Sequence, residues 1–140
     1  MNLLSLTEDA ESAVATYRNP NISAWIDVID PVLHAAGLPC IGRDSVQSID
    51  ITEQDLTVTT AYCVRGCSDT STISLPLFVL RAADPVKAAT RHRLETARGE
   101  ARQRTEAARR ALALQEASLE KLNREFADFM ANSPEYANVQ

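Results

Sequence analysis

The chain has 140 residues and a formal charge of −5, from 14 Lys+Arg against 19 Asp+Glu. Hydrophobic residues make up 45%, but 21 of the 140 are alanine and only 5% are aromatic, so a large core is not expected. There is no run of about 20 apolar residues for a membrane span and no basic segment before Leu3 and Leu4 for a secretory signal, and the acidic total argues against a generally basic nucleic-acid binder.

Residues 5–37 read as two short helices. Ser5-Leu6-Thr7-Glu8 has the form of a capping box, and Ala10, Ala13, Val14 and Tyr17 follow at helical spacing. Asn19-Pro20-Asn21 ends this helix, and Asn21 is placed to cap the next. Ile22, Trp25, Ile26, Ile29, Val32 and Leu33 then form one apolar face at the helical period. Pro31 is expected to kink this helix or split it after Ile29, because it lacks an N–H and clashes with the preceding turn. Gly37 suits the position just past the helix end.

Residues 46–80 change to a period of two and predict a three-stranded antiparallel meander. Ser48–Thr52, Leu56–Tyr62 and Thr72–Leu75 alternate polar and apolar, with the β-branched enrichment that half-buried strands show. Arg65 to Ser71 reads as a polar loop. Pro76 cannot donate a ladder bond, so it marks the end or the edge of the third strand, with Leu77–Leu80 beyond it. So small a sheet needs a cover on one face, and the Trp25 helix is the candidate.

Asp84-Pro85 is a helix start, a capping carboxylate followed by proline at the first helical position. No proline recurs until Pro134, and Gly99 is the one glycine between them. A continuous helix over 85–130 would extend about 69 Å, long enough to require a partner surface or a fold-back. Leu94, Ala97, Ala101, Thr105, Ala108, Leu112, Gln115, Leu119, Leu122, Phe126 and Phe129 follow a heptad pattern with one stutter at Ala101–Thr105. The seam is weak in its first half and strong from Leu112 onward. Intermolecular coiled-coil pairing through Leu112, Leu119, Leu122, Phe126 and Phe129 is expected, most simply as a homodimer. Packing of the same face on the chain's own sheet is the alternative.

The fold expected is therefore α+β: a small head over 1–80, a long amphipathic helix with coiled-coil character over 84–131, and a flexible tail over 132–140.

Charge divides along the same lines. Residues 1–80 carry ten acids and three bases, whereas 91–110 hold seven arginines against Glu95, Glu100 and Glu106. Arg91, Arg98, Arg102 and Arg109 form one stripe, a candidate site for an anionic target or the acidic face of a protein partner. Local pairing (Arg91–Glu95, Arg102–Glu106, Glu106–Arg110) and self-complementarity with the acidic head are the simpler expectations. Nucleic acid is the alternative, weakened by the lack of interleaved aromatic residues for stacking.

Catalytic motifs are few. No phosphate-cradling glycine loop or nucleophile elbow occurs, so no catalytic residue, enzyme activity or cofactor is expected. Three cysteines, Cys40, Cys63 and Cys67, make a poor disulfide framework and suit a reducing cytoplasm. His34 with Cys40, Cys63 and Cys67 is the one candidate metal set, though the Cys63–Cys67 spacing is not that of a zinc ribbon. His34 with Cys40 or Cys63 is the corresponding thiol-nucleophile pair, and a small zinc- or thiol-dependent enzyme is the remaining alternative function. His34 is expected to be partly buried, and His92, between Arg91 and Arg93, solvated. Asp27 and Asp30 share a helix face and read as solvated.

Tyr62-Cys63-Val64-Arg65-Gly66-Cys67, then Ile73 to Leu80, then Asp84-Pro85, resembles small accessory proteins of bacteriophages and their relatives, in which a strand, a polar loop and an amphipathic strand ending in proline precede a long charged helix. The resemblance covers residues 62 to about 130 and brings no site residues with it. It implies a small intracellular protein that acts by binding a host or phage protein, for example as an inhibitor of a bacterial defence complex.

Overall fold

In the computed structural model, which describes residues 2–42, 46–64 and 66–136, the first helix begins earlier than the capping box implies. Asn2, not Ser5, caps α1 (Leu3–Thr16), its side-chain oxygen accepting from the Leu4 N–H at 3.0 Å. A cap at Asn2 adds a turn that brings Leu3 into the core, and Ser5 lies inside the helix. α2 (Ser23–Ala35) buries the expected face, Trp25, Ile26, Ile29, Val32 and Leu33. Pro31 stays inside it and does not split it. The proline is exposed and removes only one backbone donor, while the buried side chains on either side hold the turn together. α2 ends in a Schellman motif: Gly37 N–H bonds to the His34 carbonyl at 3.0 Å and Leu38 N–H to the Leu33 carbonyl at 2.8 Å, with Gly37 at φ +76°.

The sheet runs β1 (Val46–Ile51), β2 (Asp55–Val64), β3 (Cys67–Pro76), antiparallel and in that spatial order. Its register stacks apolar residues in cross-strand rows. Ile49, Val58 and Ile73 form one row; Ile51, Leu56 and Leu75 form the next. All but Ile51 are buried. The alternate rows, Ser48–Thr59–Thr72 and Asp50–Thr57–Ser74, are polar, as a sheet covered on one face requires.

Two expectations fail here. The polar stretch from Cys67 to Ser71 is strand, pairing with Thr60–Val64. Leu77–Leu80 is not strand but a short helix, α3 (Leu77–Arg81), which buries Leu77, Val79 and Leu80. Pro76 ends the ladder, and Leu77 and Leu80, one helical turn apart, then fall on a common face.

α4 spans Pro85–Asn132 and runs through Gly99, where an added Cβ would meet nothing within 4 Å. Asp84 opens it, its carboxylate accepting the Lys87 N–H at 3.0 Å. Contacts divide the chain into two compact units, residues 1–96 and 97–140. The first thus includes the opening turns of α4, whose Ala89 has no exposed surface.

The first unit holds one core cluster, to which α1, α2, all three strands, α3 and Ala89 contribute. α1 packs along β1 and also on α2 and α3. The cover is therefore shared between α1 and the apolar face of α2. In the second unit, every residue of α4 from Ala97 to Phe129 is exposed. Beyond Asn132 a short 3₁₀ helix covers Pro134–Tyr136; the rest of the expected tail, 137–140, lies outside the described residues. No helix among the described residues is long and apolar enough to cross a membrane.

Candidate interaction surface

α4 presents the large apolar side chains that the heptad pattern singles out. Leu112, Leu119, Leu122, Phe126 and Phe129 are each more than half exposed, from 53% at Phe129 to 65% at Phe126. None joins the core cluster, which receives nothing beyond Ala89. More than half of the surface of each of these five side chains is exposed. Leu114, 74% exposed, lies off this row, roughly a third of a turn around the helix from its mean direction at about 3.6 residues per turn.

The arginine stripe divides between the two units. In the first, Arg91 donates Nε–H to Glu95 at 2.8 Å, and this partner pushes the guanidinium further above its already high range. Arg93 turns the other way and donates to the carbonyl of Ala35 at 3.0 Å. In the second unit the expected Glu106–Arg110 pair forms, the expected Arg102–Glu106 pair does not, and Arg104 finds a partner that was not expected. Arg110, not Arg102, takes Glu106, at 3.8 Å; Arg104 takes Glu100 at 3.4 Å. Farther along, Lys121 pairs with Glu125 and Arg124 with Glu120. Among the described residues, Arg98, Arg102 and Arg109 enter no ion pair. Each is exposed, so three stripe positions keep their charge available.

The sequence pattern missed an open groove of about 460 Å³ within the first unit, lined by Phe78, Asp84, Lys87, Ala88, Arg91, His92 and Glu95. Phe78 is 55% exposed and meets His92 edge to face, with ring centroids 5.5 Å apart. Reading Leu77–Leu80 as strand hid this. Read as a helical turn closed by Pro76, the same four residues point Phe78 away from the core.

Two of the four candidate metal ligands, His34 and Cys40, have described side chains. His34 and Cys40 are both exposed, and no cluster of three or more His, Cys, Asp or Glu among the described residues is arranged to hold a metal. The side chains of Cys63 and Cys67 lie outside the described residues; their backbones sit at the closed end of the β2–β3 hairpin, where Val64 pairs with Cys67 and Gly66 adopts φ +83°. Asp30 has a local task, its carboxylate accepting the Ile41 N–H at 3.1 Å. At the outer part of the hairpin, the Tyr62 hydroxyl donates to Asp69 at 3.1 Å, and the carboxylate raises the phenol pKa.

No protein-family model, curated protein or solved structure matches this chain.

Proposed function

We propose that this chain is a non-enzymatic interaction protein that self-associates through the second half of α4 and engages a macromolecular partner. One observation carries this reading. A chain that buries Leu33, Leu56, Leu75 and Leu80 almost completely leaves Leu112, Leu119, Leu122 and Phe126 exposed at heptad spacing on one helix. Apolar residues so repeated mark a partner helix. The likeness in style to phage accessory proteins suggests the wider role, binding and blocking a host protein such as part of a bacterial defence complex.

Sedimentation equilibrium of the full chain tests the first part. The expected result is a concentration-dependent oligomer, most simply a dimer, that Leu119→Glu together with Leu122→Glu converts to monomer, because carboxylates cannot sit unpaired in a dry seam. A monomer at high micromolar concentration removes the reading.

Arg98, Arg102 and Arg109 support a second reading, nucleic-acid binding. Free guanidinium groups along one helix line suit a phosphate backbone. A gel-shift assay at low salt tests it: retardation that collapses with added salt supports it, and no retardation removes it.

A further inference from the structure

We propose that the self-association is antiparallel, with a second copy of α4 lying across the first about a dyad between Ala113 and Leu114. The inference rests on the self-association just proposed and adds its direction and register. Three features of the 97–132 segment point to the same arrangement.

The first is the size gradient along the seam. Its first half holds Ala101, Thr105 and Ala108; its second half holds Leu119, Leu122 and Phe126. A parallel pair sets each residue against itself, stacking ring on ring at Phe126 and leaving the alanine layers thin. About the proposed dyad, Phe126 faces Ala101 of the second copy, Leu122 faces Thr105 and Leu119 faces Ala108. Large meets small in every such layer, the alternation that fills a core evenly.

The second is charge. The positions flanking the seam are basic in the first half, at Arg102, Arg104 and Arg109, and acidic in the second, at Glu116 and Glu125. A parallel pair sets Arg104 beside Arg109 of the second copy, like against like on both sides. The antiparallel register sets Arg109 beside Glu116 and Arg104 beside Glu125, each twice by symmetry. Within the described chain Arg109 and Glu116 enter no ion pair, so both are available for this contact.

The third is overlap. The dyad between Ala113 and Leu114 pairs Ala97 with Met130, so the antiparallel register runs the two helices side by side over nearly all of the second unit's helix and loses almost no overlap relative to a parallel pair.

Charge reversal distinguishes the two directions by sign. In the antiparallel pair, Arg109→Glu sets a new carboxylate against Glu116, and Glu116→Arg sets a new guanidinium against Arg109. Each variant alone should associate about tenfold more weakly than the wild type, the scale of two exposed ion pairs turned repulsive. Mixed in equal amounts, the two variants should recover the wild-type association, since both contacts become attractive again in the heterodimer. A parallel pair gives the reverse for Arg109→Glu, which relieves the repulsion with Arg104 and tightens association. Both positions are exposed, and circular dichroism of each variant checks that the helix is retained. Sedimentation equilibrium of the four samples reads the outcome. A monomeric wild type overturns both the self-association and its direction. A wild-type dimer in which Arg109→Glu associates as well or better, or a mixture no tighter than its components, overturns the antiparallel register alone.

Discussion

Arg93 donates its Nε–H to the carbonyl of Ala35 at 3.0 Å, closing the last turn of α2 with a side chain from the opening turns of α4. A cation at a helix C-terminus satisfies a carbonyl that has no partner within the helix and meets the negative end of the dipole. Gly37 makes room for it: a Cβ at this position would lie 3.0 Å from Arg93 Cδ. Gly37→Ala should therefore destabilise the first unit by about 2 kcal/mol, from the left-handed backbone at φ +76° and the crowding of Arg93 together. Arg93→Met, which keeps much of the stem, should cost about 1 kcal/mol. Urea unfolding midpoints check both.

Thr7 is buried completely and joins two helices. It donates to the Leu3 carbonyl at 2.8 Å and accepts the Trp25 indole N–H at 3.0 Å. Thr7→Val keeps the shape but strands the indole donor in the core, so a loss of about 1–3 kcal/mol is expected. Thr7→Ser keeps the hydroxyl and should lose less. Scanning calorimetry of the two variants separates the hydrogen bond from the methyl group.

The Tyr62–Asp69 contact predicts a pH effect. The phenol is the donor, so its neutral form is favoured and its pKa lies above the ordinary value of 10.0. Any support the contact gives the hairpin is present below that ordinary value and is lost as pH rises through the raised one. Asp69→Ala should move the titration of one phenol downward, toward the ordinary range. Phenolate absorbance, compared with Tyr62→Phe, identifies that phenol among the three tyrosines of the chain.

Helix 97–132 should melt at a temperature that rises with protein concentration, because association favours its folded form by mass action. Leu119→Glu with Leu122→Glu should abolish that dependence. Melting followed by far-ultraviolet ellipticity over a range of concentrations reads both.

How much of this was legible in the sequence varied with what each residue packs against. The α2 face from Ile22 to Leu33 and the rows through Ile49, Leu56 and Ile73 were plain, because one-sided burial imprints its period on the chain. Asp84 and Gly37 were plain because helix ends have few chemical solutions. The outer hairpin was not. Thr70, Ser71 and Asp69 pair with Ala61, Thr60 and Tyr62 where neither strand has a core to bury into, and alternation disappears with the core. α3 was missed because four apolar residues in a row carry no period of their own; the stop at Pro76 was the signal. The local partners of the arginines were also only partly readable, since Glu106 has arginines at Arg102 and Arg110, both one turn away, and spacing does not choose between them.

Trp25 is the only tryptophan in the chain, is 3% exposed and has its indole N–H on Thr7. The 97–132 helix contains neither tryptophan nor tyrosine. Indole emission therefore reports on the first unit alone, while dichroism is weighted towards the long helix. The protein thus carries two separate optical channels, and a ligand or substitution acting on only one unit declares which one without any added label.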